Sequence, residues 1–306
     1  MRILVTGATG FVGTWLGEEL HRGGHGVIGF PGPEILDIAD RPGVLRAVAD
    51  ARPDAVVHLA AMAYAPDATA DATEALRVNV GGTLAVLEAC RSEAPHAAVL
   101  VVGSSDIYEP PVTEAPLTES SPLGPRGVYG LTKLAAEALA LASSIDSQLE
   151  VAVARSFNHT GPGQRHVFAI PAFAGRLLEA RRAGVHEIRA GNVDVARDIG
   201  DVRDVVRAYR LLVEALVDGR VPREKRVYNV ASGRATPMRH IIDRLAELAD
   251  WPVAIVPDPA LIRRDDPRVI RGDASALRAL TGWEPTVSMD QTLADLLESL
   301  ALSRRG

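Results

Sequence analysis

The sequence predicts an α/β protein, a doubly wound parallel Rossmann sheet with a smaller α/β substrate-binding lobe. Three observations carry this prediction. Short β-branched runs alternate with helical stretches through the first half, the pattern of parallel strands joined by right-handed crossovers. The runs are almost wholly apolar, as strands covered by helices on both faces must be. With 306 residues the chain exceeds what one compact core usually supports, and after Gly161 its rhythm breaks into segments punctuated by Gly and Pro.

In order, strands are predicted over Arg2–Val5, Val27–Phe30, Ala55–Leu59, Ala97–Val102 and Val151–Ala154. Helices over Val12–Arg22, Val44–Ala51, Ala72–Ser92 and Tyr129–Ser144 alternate with them. The second part carries helical patterns over Phe168–Ala183, Val202–Val217, Pro237–Asp250 and Met289–Leu302. The sequence has no internal repeat, low-complexity tract or long linker, so the second lobe is expected to pack directly on the first.

Composition narrows the function classes. A chain that is 47% hydrophobic and 24% charged can bury an ordinary core, which excludes disorder and fibrous assembly. A net charge of −6 gives no overall basic field for a phosphate backbone, so no nucleic-acid partner is expected. No run approaches the roughly 18 to 20 apolar residues of a membrane helix, and no membrane partner is expected. The lone Cys90 cannot form an internal bridge, and nothing after Met1 reads as a basic segment followed by an apolar stretch; a cytoplasmic setting is expected. Cys90 shares a helical stripe with Val86 and Leu87 and reads as core. The histidines show no metal-ligand spacing, so no metal is expected.

The first strand runs into Thr6-Gly7-Ala8-Thr9-Gly10-Phe11-Val12-Gly13, a G-x-x-G-x-x-G turn opening a helix. Such a turn lets backbone N–H groups approach a pyrophosphate whose charge the helix N-terminus favours, so NAD or NADP is the expected cofactor. An acid at the end of the second strand would hold a ribose 2′-hydroxyl and an Arg a 2′-phosphate; Gly26 to Pro33 contains neither, and the choice between the two cofactors stays open.

Tyr129 and Lys133 stand four residues apart, one above the other on a helix. A nearby ammonium favours the phenolate and is expected to lower the Tyr129 pKa toward working pH, as proton exchange with a carbonyl oxygen requires. Only two of the 33 basic residues are lysines, Lys133 and Lys225, so a lysine at this place suggests a chemical demand. Upstream, Ser104-Ser105-Asp106 puts hydroxyls at the carboxyl edge of the sheet; an ST-turn closing the strand is the structural alternative for Ser104.

The glycine spacing and the order of these residues resemble the extended short-chain dehydrogenases/reductases, the NAD-dependent epimerase/dehydratase family. The resemblance implies a catalytic triad of Ser104, Tyr129 and Lys133, with Lys133 also binding the nicotinamide ribose. It implies cofactor contacts at Gly7, Gly10, Phe11, Val12 and Gly13, at Asp37 and Ile38 for adenine, at Leu59, Ala60 and Ala61, and at Tyr129 and Lys133. Asp37 or Asp40 also suits a helix N-cap, Asp40 better. His58-Leu59-Ala60-Ala61 and Asn79-Val80-Gly81-Gly82-Thr83 match the family as well, and His58 reads as a packed histidine without catalysis.

Phe157-Asn158-His159-Thr160-Gly161-Pro162-Gly163-Gln164 and Arg197-Asp198-Ile199-Gly200-Asp201-Val202-Arg203-Asp204 resemble segments of the branch that acts on GDP-sugars, closest to reduction of GDP-4-keto-6-deoxy-D-mannose to GDP-D-rhamnose. Arg263 and Asp266 match that branch, and Arg264 departs from its proline. Diphosphates call for cations or amides and ribose hydroxyls for a carboxylate. Hence Asn158, Arg197 and Arg263 are assigned to the diphosphate, Asp266 to the ribose, and Ser105 and Asp106 to the sugar side; ordinary ion pairs are the alternative for each arginine.

The resemblance divides the chain into residues 1–157 plus about 197–230 for the dinucleotide, and about 158–196 plus 231–306 for the nucleotide sugar. It also implies a homodimer. A 4,6-dehydratase or 4-epimerase uses the same fold, but dehydration needs an acid and a base beside the catalytic hydroxyl, and only Asp106 is there. A non-catalytic dinucleotide sensor commonly lacks the Tyr/Lys pair that this chain keeps.

Overall fold

A computed structural model describes residues 1–146, 149–261 and 266–303. The chain runs β1 (Arg2–Thr6), α1 (Phe11–Arg22), β2 (Gly26–Gly29), α2 (Arg41–Ala51), β3 (Ala55–His58), α3 (Ala65–Ala70), α4 (Ala72–Leu76), α5 (Gly82–Glu93), β4 (Ala98–Ser104), α6 (Val128–Asp146) and β5 (Val151–Ser156). It continues through β6 (Asn158–Thr160), α7 (Ala169–Ala183), β7 (Glu187–Ala190), β8 (Ala196–Asp201), α8 (Val202–Val217), β9 (Val227–Val230), β10 (Ala235–Pro237) and α9 (Met238–Leu248). It ends with β11 (Ala254–Pro257), β12 (Val269–Ile270), α10 (Ser275–Thr281) and α11 (Met289–Ser303).

Six strands form one parallel sheet in the order β2-β1-β3-β4-β5-β9. Alternate residues of each strand feed opposite layers, as the two-residue pleat dictates. Ile3 and Val5 pack with Leu16 and Leu20 of α1 and Tyr209 and Leu212 of α8, while Leu4 packs with Val44 of α2 and Val86 and Cys90 of α5. The Cys90 thiol is fully buried, and burial pushes its pKa up to about 12, so it is core. Because the strands are parallel, their carboxyl ends emerge on one edge. The strand order reverses between β1 and β3, which opens the crevice where such sheets bind ligands.

The second lobe has its own core, Phe173 and Leu177 of α7, Ile241 and Leu245 of α9, and Leu293 and Leu296 of α11. A small sheet holds β8 between β10 and β12, with β6 pairing in parallel on β8. These short strands were not predicted. Nor was the break in the long helix: the span predicted as one helix over Ala72–Ser92 is α4, a π-helical turn over Arg77–Gly81, and α5. The Asn79 carbonyl accepts from the Thr83 hydroxyl at 2.7 Å within this wider turn.

Candidate active site

The first glycine turn is shaped for a close approach. Gly7 has φ +70°, and a Cβ there would lie 3.0 Å from the Ala60 nitrogen. A Cβ on Gly13 would run into the Gly7 carbonyl and lie 2.7 Å from the Ala8 Cα, so this glycine lets α1 pack on the turn. Gly10 caps α1, its N–H donating to the Gly7 carbonyl at 3.0 Å. The first turn of α1 carries no acidic residue, which leaves its positive end uncompensated and suited to a pyrophosphate. Phe11 stacks on His159, with centroids 6.3 Å apart. Leu59 and Ala60 lie beside the turn: their N–H groups donate to the Thr6 carbonyl and hydroxyl at 3.3 and 3.1 Å.

His58 is buried and its bonds have one consistent direction. The Thr83 hydroxyl donates to the Asn79 carbonyl, so it accepts from His58 Nε2–H at 3.0 Å, and Nδ1 accepts from the Thr6 hydroxyl at 2.8 Å. Burial, then the charge of Lys133, holds the imidazole pKa down at about 3. It is a neutral packing link between β1, β3 and α5, as the sequence suggests.

Asp37 accepts from the Ala39 N–H at 2.9 Å and pairs with Arg77 at 2.6 Å, and the backbone bond above all holds its carboxyl below the usual range. Ile38 is buried against Gly82, where a Cβ would lie 2.8 Å from its Cγ2. Asp40 occupies the N-cap position of α2, but its side chain makes no cap bond, with Pro42 in the first turn removing a donor. The side-chain cap expected of Asp40 is therefore corrected.

Ser104 ends β4 and Tyr129 and Lys133 rise from the start of α6. The Ser104 hydroxyl approaches the Tyr129 phenol and favours its ionised form. The Ser104 hydroxyl also accepts from the Asp106 N–H at 3.2 Å, so the turn-closing role and contact with the phenol coexist. Lys133 is buried and donates to the Val102 carbonyl at 2.7 Å. Burial lowers its pKa to about 8. The expected lowering of the Tyr129 pKa is not observed. Burial of the phenol, reinforced by the Asp106 charge, raises it above its ordinary value and outweighs the opposing influence of the Ser104 hydroxyl.

Two positioning roles, of Gly130 and of the family-matching Asn79, come from the structure. A Cβ on Gly130 would sit 2.5 Å from the Asp106 carbonyl oxygen, so glycine lets α6 close against the turn after β4. The only signal was its place beside Tyr129. Asn79 accepts from the Met62 N–H at 2.7 Å and donates to the Thr132 hydroxyl at 2.9 Å, which ties the loop after β3 to the helix of Tyr129 and Lys133.

On the substrate side, Ser105 is buried and Asp106 exposed at the turn after β4. Asn158 is exposed on β6 and borders a crevice with Gly200, Val230, Ser232 and Trp283. Arg197 and Asp266, expected in separate roles, pair with each other at 2.5 Å, and Arg197 also donates to the Pro267 carbonyl at 2.9 Å. Side by side, with Arg197 buried and Asp266 half-buried, opposite charges satisfy one another before any ligand does. Arg263 lies outside the described residues. Asp198 accepts from the N–H groups of Ser232 at 2.8 Å, Gly233 at 2.9 Å and Gly272 at 3.1 Å, a scaffold role. Arg203 pairs with Asp201 and Asp295.

Comparison with known proteins gives the family and the fold. Residues 3–231 match the model of the NAD dependent epimerase/dehydratase family. The chain is 37% identical to a GDP-6-deoxy-D-mannose reductase of Pseudomonas aeruginosa, covering 97% of this chain and 96% of that protein. It is 29% identical to a dTDP-glucose 4,6-dehydratase of Streptomyces griseus, over 95% of this chain and 92% of that one. The fold superposes on RMD from Pseudomonas aeruginosa complexed with NADPH with a TM-score of 0.88 and 33% identity, covering 99% of this chain and 100% of that one. A UDP-glucose 4-epimerase from Thermotoga maritima with UDP-glucose gives a TM-score of 0.87 and 26% identity, covering 99% of this chain and 100% of that one.

Proposed function

Because the chain belongs to the NAD dependent epimerase/dehydratase family, we propose that it is an NAD(P)-dependent oxidoreductase that reduces GDP-4-keto-6-deoxy-D-mannose to GDP-D-rhamnose. The observation that carries the reading is the convergence of the Ser104 hydroxyl and the Tyr129 phenol at the carboxyl edge of the sheet, with Lys133 buried one helical turn further along α6. The likeness to a GDP-6-deoxy-D-mannose reductase over 97% of the chain supports the substrate.

The reduced nicotinamide supplies the hydride when bound. Ser104 orients the 4-keto oxygen through its hydroxyl. Tyr129, kept protonated by burial, delivers its phenolic proton to that oxygen as the carbonyl becomes a carbinol. Lys133 holds its positive charge one helical turn from Tyr129, anchored on the Val102 carbonyl. Gly7, Gly10 and Gly13 with the N-terminus of α1 receive the pyrophosphate. Asn158 is assigned to the sugar-nucleotide diphosphate, together with Arg197, Arg263 and Asp266 once the Arg197–Asp266 pair opens or turns toward the ligand.

The same reading includes the two-part division at residues 1–157 plus about 197–230 against the rest, with β8 at the seam because it pairs with β6, β10 and β12. It includes a homodimer, supported by Leu84 of α5 and Leu131 of α6, which stay 41% and 53% exposed on packed helices. A cytoplasmic setting is supported by the single buried thiol.

A 4,6-dehydratase or 4-epimerase is the second reading, and the lone Asp106 beside Ser104 favours reduction over it. The test is product stoichiometry. GDP-mannose with oxidised cofactor should give no 4-keto-6-deoxy product, whereas the preformed ketosugar should consume one reduced cofactor per product. Asp106→Asn should keep partial activity. Dehydration of GDP-mannose by the protein alone, or product without net cofactor oxidation, overturns the assignment.

A further inference from the structure

The segment after β2 carries an unassigned carboxylate. β2 abuts the phosphate turn, since a Cβ on Gly29 would meet the Ala8 Cβ at 3.3 Å. The residues leaving this strand end are therefore those that face the adenosine ribose in a Rossmann site. The chain does not run on from there. Ile35 and Leu36 donate their N–H groups to the Gly32 carbonyl at 2.9 and 3.0 Å, a tight turn that folds Glu34 back. Its carboxylate lies over Gly32, with Oε2 2.8 Å from the place a Cβ would take. Gly32 thus leaves the space that the Glu34 carboxylate fills, and the turn holds an acid within the segment that follows β2, beyond the residues where one is normally sought.

Charge at this place is one-sided. From Gly29 to Asp40 the sequence holds Glu34, Asp37 and Asp40 and no Lys, Arg or His. The guanidinium groups that follow or touch the segment are engaged: Arg41 with Glu88 at 2.7 Å, and Arg77 with Asp37 at 2.6 Å and Glu74 at 2.7 Å. A carboxylate accepts hydrogen bonds from ribose hydroxyls, whereas a 2′-phosphate needs cationic donors and is repelled by carboxylates.

We propose that Glu34 is the carboxylate that accepts the adenosine ribose hydroxyls, and that this chain takes NADH in preference to NADPH. In this it departs from the similar Pseudomonas aeruginosa RMD, which is complexed with NADPH. The inference rests on the dinucleotide site of the proposed function and deepens it.

Calorimetric titration of the purified protein tests it, using NADH and NADPH and also ADP-ribose and its 2′-phosphate, which need no sugar substrate. A hydrogen bond to a charged acceptor lost together with a repulsion gained corresponds to about tenfold or more in affinity, so NADH and ADP-ribose should bind at least about tenfold tighter than their 2′-phosphorylated counterparts. Glu34→Gln should erase most of that ratio, and Glu34→Arg should invert it; Glu34 is exposed, so neither should disturb folding. Tighter binding of NADPH by the wild type, or an unchanged ratio in Glu34→Gln, overturns the proposal. Failure to bind any of the four overturns the dinucleotide site and the proposal with it. An NADH preference lost in Glu34→Gln, found together with no turnover of the ketosugar, supports the proposal and rejects only the substrate.

Discussion

The Lys133 ammonium donates to the carbonyl oxygen of Val102 at 2.7 Å, two residues before Ser104 on the same strand. The lysine is thereby anchored to the strand that ends in Ser104. Its charge sits at a defined depth beneath the cleft, and α6 is pinned to β4. Burial taxes that charge and brings the lysine pKa down to about 8, while the phenol of Tyr129 stays above its ordinary value. For a reductase this is the useful arrangement, because the tyrosine must arrive carrying its proton.

Tyr129→Phe removes the phenolic hydroxyl that would donate the proton, with little change in packing. Turnover should fall by about 10²- to 10⁴-fold, with a much smaller change in KM. Steady-state kinetics with the ketosugar and reduced cofactor measure both, and wild-type turnover with chemistry rate-limiting would show the triad to be misassigned.

The pH profile of kcat/KM should fall as pH rises through about 8. The sign follows from Lys133: burial lowers its pKa from 10.5 to about 8, so its charge is present below that pH and lost above it. Tyr129, shifted the other way, keeps its proton through the same range. Lys133→Met should lower the plateau and remove this limb; a limb that persists in Lys133→Met belongs to another group.

Gly13→Ala and Gly10→Val should behave differently. A Cβ on Gly13 meets backbone, 2.7 Å from the Ala8 Cα, so α1 must shift and stability should drop by about 1–3 kcal/mol along with dinucleotide affinity. A Cβ on Gly10 finds its nearest neighbour, the Gly7 carbonyl, at 3.3 Å, so Gly10→Val should stay folded and lose the dinucleotide by obstruction. Thermal unfolding and calorimetric titration separate the two; unchanged affinity in Gly10→Val removes the turn from the site.

Arg155 and Glu137 form a buried bidentate pair, at 2.9 and 2.5 Å, that joins β5 to α6. Arg155 also donates to the Tyr108 hydroxyl at 2.9 Å, and Tyr108 donates to Asn229 at 2.6 Å. Glu137→Gln leaves a buried guanidinium without its countercharge and should cost about 3–5 kcal/mol in urea unfolding. A loss under about 1 kcal/mol would mean that the remaining acceptors suffice.

What was legible follows from range. The glycine turn after β1, the Tyr129/Lys133 spacing and the apolar strands are local patterns, read within one turn or one strand. Helix α8 coincides with its predicted span Val202–Val217, because its apolar stripe has one face on the sheet. The small sheet was invisible: β12 spans Val269–Ile270 and β6 spans Asn158–Thr160, too short to show a period. The π turn at Arg77–Gly81 was hidden because its apolar positions still read as an ordinary helix.

By itself, then, the sequence determined the layer architecture, the glycine turn that opens α1 and the helical spacing of Tyr129 and Lys133, since hydrophobic period, glycine conformation and helical spacing are properties of neighbours along the chain. Only the tertiary structure decided where charges are spent. It joined Arg197 to Asp266 across 69 residues, hung Lys133 on Val102 and raised the Tyr129 pKa where spacing alone predicted a fall. It also turned Glu34 back over Gly32. Desolvation and ion pairing depend on what folding brings within a few ångströms, and no spacing along the chain encodes that distance.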